Sequence, residues 1–530
     1  MPGAWPDYVE QHLIPRLNGF ELLMASYAMA HLKLDLTLRE TGYTRELGER
    51  FRVYLTNALE ADHPDTGTLF AGFLSKEANE ANAIKRDTPV MVVMGNPPYS
   101  GESSNKGDWI MELMDDYKKE PGGKKKLQER NSKWINDDYV KFLRMAQHLV
   151  DQNGEGIVAF INPHGYIDNP TFRGMRWSLM KSYSEIYIID LHGNTKKNET
   201  APDGSKDVNV FDIQQGVSIN ILVKRKGVEG LAKIHHSDLY GSRKFKYDAL
   251  DKTSLSDQQF QIVPVNQPSY FFVPKDYAQL EKYQEGFAVS SMFKTSSIGI
   301  VTARDFFTIQ HSKKQIENIY REFPDMEINA ARARYDLGKD VRDWTVEGAQ
   351  QDLKNSIKEV DAVSIVNYRH FDDRYTYYTG NSRGFHCMPR GDVMSHMLYA
   401  NVAIITTRQI AVDEWVHVTI TDKIVDDSRL SNRSKERGYV FPLYLYPESP
   451  TPAPSQLLLA PAAAQKETPT RIPNLDKKLV AKIATGLGLR FTPEKEDDPA
   501  TFAPLDLLDY IYAVLHDPAY RETYAEFLKI

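Results

Sequence analysis

Four short apolar runs, at residues 89–95, 156–161, 185–191 and 217–224, constrain the first part of this chain more than any other feature. The first of them (PVMVVMG) contains no polar side chain. That is the pattern of a parallel strand buried on both faces. A shorter run at 17–21 reads as a strand and leads into helical spacing over 22–34. Residues 139–150 repeat apolar side chains at helical intervals between two of the strands. Strands alternating with helices predict an α/β domain built on a doubly wound sheet. Ligand sites in such a sheet fall at the carboxyl ends of the strands.

The texture changes near residue 245. Aromatic, alternating segments at 366–378 and 415–420, mixed with a helical stretch at 315–321, predict a second, mixed α+β domain over 246–448. Residues 449–470 are rich in Pro, Ala, Ser and Thr and read as a linker, and 471–530 read as helical. The net charge of −7 over 530 residues gives no global signal for nucleic acid, although phosphate binding needs only a local basic face. Cys387 is the only cysteine, which excludes disulfides and cysteine-based zinc sites, and no metal is expected. The chain opens without a basic, then apolar, leader and has no run of about 20 apolar residues, so a cytoplasmic protein is expected.

Directly after the first apolar run stands Asn96-Pro97-Pro98-Tyr99. An aromatic amine such as that of adenine is a poor nucleophile because its lone pair is delocalised into the ring. The side-chain oxygen of Asn96 and the carbonyl of Pro97 can accept both amine hydrogens, which favours a pyramidal nitrogen aimed at an electrophilic methyl group. Pro97 and Pro98 fix φ and hold that carbonyl in place. Tyr99 offers a face for stacking on a base taken out of its duplex. A strand-ending turn of Asn and Pro without function is the plainer alternative. The tetrapeptide also suits methyl transfer to a protein glutamine or to an RNA guanine.

Further segments, read in order, make the chain resemble the gamma-class adenine-N6 DNA methyltransferases, and within them the single-chain Type ISP restriction–modification enzymes. The segments are Gly19-Phe20-Glu21-Leu22-Leu23, Tyr54-Leu55-Thr56-Asn57-Ala58-Leu59-Glu60, the tetrapeptide itself, GIVAFINPHGYI at 156–167, YIIDLHGN at 187–194, and 209–219 around Phe211. The resemblance implies S-adenosylmethionine as cofactor, with Glu21 on its ribose hydroxyls and Asn57 near its adenine. It implies a target adenine stacked between Tyr99 and Phe211. His164 and His192 invite a general-base reading, but transfer from a sulfonium needs no strong base, and structural roles are expected for both. In the second half, Tyr368-Arg369-His370-Phe371-Asp372-Asp373-Arg374, Pro389-Arg390, Thr407-Arg408-Gln409 and 441–447 resemble the specificity region of the same enzymes. Double-stranded DNA is therefore the expected partner, with Arg369, Arg374, Arg390, Arg408 and Gln409 as candidate contacts.

The family also carries a glycine-rich loop ahead of the Glu21 segment, together with a nuclease and a translocase. Residues 1–16 hold Gly3 as their only glycine, and the chain contains no GxxxxGK[ST] phosphate loop. The resemblance thus implies a methyltransferase domain over 1–245 without its first strand, cut at both ends. A partner polypeptide could supply the cofactor loop, nuclease and translocase. A non-catalytic DNA-specificity module is the alternative function.

Overall fold

The computed structural model describes residues 4–45, 50–60, 69–101, 103–127, 133–195, 199–356, 363–408, 410, 415–431, 436–446 and 470–528. The chain is a mixed α/β protein that divides into two compact units, Met1–Lys275 and Asp276–Ile530. The linker expected at 449–470 lies outside the described residues apart from residue 470. No helix among the described residues is long and apolar enough to cross a membrane.

The first unit has eight strands: β1 (Asn18–Glu21), β2 (Arg52–Leu55), β3 (Val92–Gly95), β4 (Gly156–Pro163), β5 (Glu185–Asp190), β6 (Val217–Lys224), β7 (Lys233–Asp238) and β8 (Gln261–Val263). β1 and β2 pair in parallel as a two-stranded sheet. The other six form one sheet in the order β3-β4-β6-β5-β7-β8. β3 runs parallel to β4, and β5 to β7, while β6 is antiparallel between β4 and β5. The carboxyl ends of β3, β4, β5 and β7 therefore share one edge.

The helix Asp138–Asn153 packs Val140, Leu143 and Ala146 into the main core with Val158 and Ile186 of the sheet and Met175 and Leu179 of the helix Arg173–Ser182. It stops at Gly154, whose φ of 82° is the left-handed conformation that closes a helix without a Cβ penalty. The unit runs beyond the expected divide at 245 because β8 pairs with β7 and because Arg176 reaches across. Its fully buried guanidinium donates to the carbonyls of Ser269, Tyr166 and Asn169 at 2.6–3.0 Å.

One expectation fails clearly. β3 is apolar yet not buried on both faces: Val92 is 55% and Met94 76% exposed. The cause is position, since β3 is the edge strand of its sheet and β1–β2 form a separate sheet. An apolar run reports what a strand would bury, not which neighbours it has.

The second unit is built on two four-stranded sheets. One contains β10 (Ile309–Gln310), β11 (Val363–Arg369), β12 (Asp372–Tyr377) and β15 (Ile424–Val425); the other contains β9 (Ser297–Ile298), β13 (Ala403–Thr406), β14 (Val418–Thr421) and β16 (Tyr439–Pro442). Aromatic packing among Phe307, Phe323, Trp344, Tyr377 and Phe385 fills one core. The C-terminal segment is not a separate helical tail. β17 (Tyr444–Leu445) pairs with β18 (Ile472–Pro473), and Leu475, Val480, Leu507 and Ile511 share a core with Met292, Phe293 and Phe441.

Candidate active site

Asn96 follows the last residue of β3, so the tetrapeptide sits at the shared carboxyl edge of the sheet. Asn96 is exposed, Pro97 is buried and Tyr99 is half-buried. The Tyr99 hydroxyl lies 2.6 Å from Asn96 Oδ1 and 3.0 Å from the Ile161 carbonyl on β4. Burial pushes the Tyr99 phenol up to about 12, so it stays a neutral donor. An amide oxygen has two lone pairs, and Asn96 Oδ1 keeps one for a second donor while it accepts from Tyr99.

A carboxylate that sequence reading missed holds the turn that follows. Asp137 accepts from the Ser100 and Gly101 N–H groups at 3.2 and 3.0 Å, although burial raises its pKa. Its neighbour Asp138 accepts from Ser103 Oγ and Asn105 Nδ2. Two consecutive aspartates opening an apolar helix are the sequence signal, but such a pair reads first as helix capping. Here both side chains face the loop after Tyr99 instead.

Glu21 ends β1, and the Leu23 N–H donates to one of its oxygens at 2.8 Å, which leaves the second carboxylate oxygen for a ligand. Asn57, just past β2, is more committed. Its Nδ2 donates to Glu60 and Asn105 at 2.9 and 2.8 Å, and its Oδ1 accepts the Leu59 N–H at 3.0 Å. Asn57 thus ties the β2 turn to the loop after Tyr99.

Phe211 lies in the connection between β5 and β6. Asn209, nearly fully buried, shapes that connection: it accepts the Phe211 N–H at 2.8 Å and donates to the carbonyls of Gly193 and Gln215. Tyr99 and Phe211, 112 positions apart by number, both pack on the cluster of Ile189, Leu191, Val210 and Val217. Behind them, Lys246 and Asp207 form an ion pair at 2.8 Å with both side chains fully buried.

His164 and His192 stand behind this edge. His164 Nδ1 is 2.9 Å from Asp190, and His192 Nε2 is 2.8 Å from Asp238. Burial works against a charge on His164, but Asp190 outweighs it and raises the imidazole above its usual range. Burial pushes Asp190 up, and its attraction to His164 and His192 overcomes this and holds it well below the usual carboxylate range. A Cβ on Gly216 would lie 2.4 Å from the His164 ring, so the histidine is packed under the chain.

In the second unit, Arg369 donates to Asp426 at 2.5 Å, and Arg374 grips Asp372 with two nitrogens at 2.7 and 3.0 Å. Both guanidinium groups also lie over the Tyr368 ring, at 3.7 and 4.1 Å. Arg390 sits at a φ of 58° with its Nε buried and unbonded, and exposed Arg408 lies 4.5 Å over Tyr439. Gln409 lies outside the described residues.

Residues 29–196 match the family of the Eco57I restriction–modification methylase, and residues 291–530 match the Type ISP C-terminal specificity domain. The chain thus carries a restriction–modification methylase domain over the first stretch and a Type ISP C-terminal specificity domain over the second. The methylase match contains Asn96–Tyr99 and ends before Phe211. No curated protein matches the chain. Among solved structures, the fold is similar to the ATP-dependent Type ISP restriction–modification enzyme LlaBIII bound to DNA, at 19% identity and a TM-score of 0.67, over 99% of this chain and 33% of that one. It is similar to DrdV in a DrdV–DNA complex at 22% identity and 0.66, over 99% and 49%. A nuclease-deletion mutant of the Type ISP enzyme LlaGI with a DNA substrate mimic matches at 20% and 0.62, over 97% and 39%. The chain therefore spans a third to a half of the length of these proteins.

Proposed function

We propose that this chain forms the acceptor site and the specificity domain of a DNA adenine-N6 methyltransferase in a restriction–modification system. The observation that carries the reading is the placing of Asn96 Oδ1 and the Tyr99 ring at the carboxyl edge of the sheet, beside the cluster that also carries Phe211. In this reading the two sheets of the first unit are parts of one doubly wound sheet, with Glu21, Asn57 and Asn96 at successive strand ends. A flipped adenine stacks between Tyr99 and Phe211. Asn96 Oδ1 and the Pro97 carbonyl accept its amine hydrogens, which frees the nitrogen lone pair for attack. Tyr99, neutral and hydrogen-bonded to Asn96, fixes the amide orientation. S-adenosylmethionine supplies the electrophilic methyl group when bound. The free oxygen of Glu21 suits its ribose hydroxyls, whereas the Asn57 amide reaches it only by exchanging its bonds to Glu60 and Asn105.

The test is methyl transfer from labelled S-adenosylmethionine to duplex DNA, RNA and protein acceptors, by the chain alone and with the product of the neighbouring reading frame. Label in N6-methyladenine of DNA supports the reading; label in glutamine or in RNA guanine refutes it. The second reading, a non-catalytic DNA-specificity module, is favoured by the commitment of Asn57 to Glu60 and Asn105. Selective duplex binding without transfer in any combination would support it.

A further inference from the structure

The tip of the β11–β12 hairpin carries an aromatic side chain where folding has no use for one. Arg369 and Asp372 are opposed across the hairpin, so His370 and Phe371 alone make the turn. Phe371 has a φ of 59° and is fully exposed, at 104% of its reference area. Two-residue hairpin turns that need a positive φ are filled by glycine, asparagine or aspartate, because a Cβ is strained there. A phenylalanine combines that strain with an apolar surface left entirely in water. The two penalties fall on one residue, and residues held in such backbone conformations cluster where a function retains them.

The stem beneath the tip is braced. The pairing register slips between Asn367 and Arg369, a bulge that redirects the strand toward its turn. Arg369 is tied to the buried Asp426, Arg374 to Asp372, and both guanidinium groups lie over Tyr368. Asn367 donates to Asp373 at 2.7 Å and accepts from Arg429. These arginines are engaged within the protein, so the tip presents an aromatic face more than a cationic one. That favours a stack of aromatic rings over a simple phosphate clamp.

We infer that Phe371 is a wedge that enters the base stack of duplex DNA, fixing the specificity domain on its site. Apolar side chains used in this way separate neighbouring base pairs, and the stacking gained on the ring offsets their unstacking. The inference rests on the DNA reading above but adds a residue and a mode of contact that the acceptor site does not supply.

Duplexes selected by the wild-type chain from a random library provide the probe, with 2-aminopurine placed at successive positions of the selected site. Phe371→Gly should bind them about 10- to 100-fold more weakly, the range of one lost aromatic–base stack. Phe371→Trp should bind within a few-fold of wild type. The salt dependence of binding should keep its slope, because no phosphate contact is lost. Without DNA, Phe371→Gly should melt at or above the wild-type Tm, because the strain is relieved. Wild type, but not Phe371→Gly, should raise 2-aminopurine fluorescence at one step. Equal affinity of Phe371→Gly and wild type overturns the wedge while leaving DNA recognition standing. A lower Tm for Phe371→Gly, or its loss of self-association without DNA, overturns it as well, since the ring would then serve the fold or a contact between copies. A wild-type chain that selects no duplex overturns both readings.

Discussion

Replacing Lys246 with methionine should destabilise the first unit more than any single surface change. Lys246 is fully buried, its ammonium is paired with Asp207 at 2.8 Å, and it donates to the carbonyls of Leu191 and Val208 at 2.6 and 2.9 Å. Methionine keeps the side-chain length and removes all three donors. Asp207 would retain the Gly241 N–H at 2.7 Å, and its second oxygen already has no hydrogen-bond partner. Removing one member of a buried pair costs about 3–5 kcal/mol, because the other is left charged and unpaired. Guanidinium unfolding followed by circular dichroism measures the loss. Adding Asp207→Asn to Lys246→Met should recover at least about 1 kcal/mol, since the uncompensated charge is gone. The carbonyls involved flank the connection that carries Phe211, so both variants should also weaken DNA binding. A loss under about 1 kcal/mol for Lys246→Met, or a double variant whose losses simply add, would refute the argument.

Gly193→Ala should cost more than about 1 kcal/mol in the same assay, because Gly193 has a φ of 80° and a Cβ there would lie 2.4 Å from Asn209 Cα; an unchanged midpoint contradicts this. The His164–Asp190 pair should give stability a window in pH. The raised pKa of His164 makes its contribution complete below its unfolded value of 6.5 and lost as pH rises through the higher folded value. The depressed pKa of Asp190 makes its contribution present above its unfolded value of 3.8 and lost as pH falls through the lower folded value. Urea midpoints across pH should show both flanks in wild type and neither in Asp190→Asn, and identical profiles would count against the pair. Calorimetry should find S-adenosylmethionine bound weakly by the isolated chain, because the Asn57 amide is engaged with Glu60 and Asn105. Micromolar affinity would contradict that.

The elements whose signal is local were legible in the sequence. The apolar runs became β3 to β6, and Asn96–Tyr99 stands at a strand end as its spacing implied. Whatever depends on pairing at a distance was not. The antiparallel place of β6, the open edge of β3 and the joining of residues 471–528 to the core around Met292 are set by partners far along the chain. The same holds for Asp137, which reads as a helix cap and instead clamps the loop after Tyr99. Phe371 was visible as one aromatic in an arginine-rich stretch, but only the turn geometry separates it from a core residue.

The central claim is that Asn96 and Tyr99 present an adenine amine for methylation. Its most direct test is the base modification of genomic DNA in the source organism, compared between the wild-type gene and an Asn96→Ala allele at the native locus. Long-read sequencing with nucleoside mass spectrometry should show N6-methyladenine at one sequence motif in wild type and its disappearance in the variant, with the chain still present at normal level. An unchanged adenine methylation pattern, or loss of a methylated cytosine instead, would contradict the account.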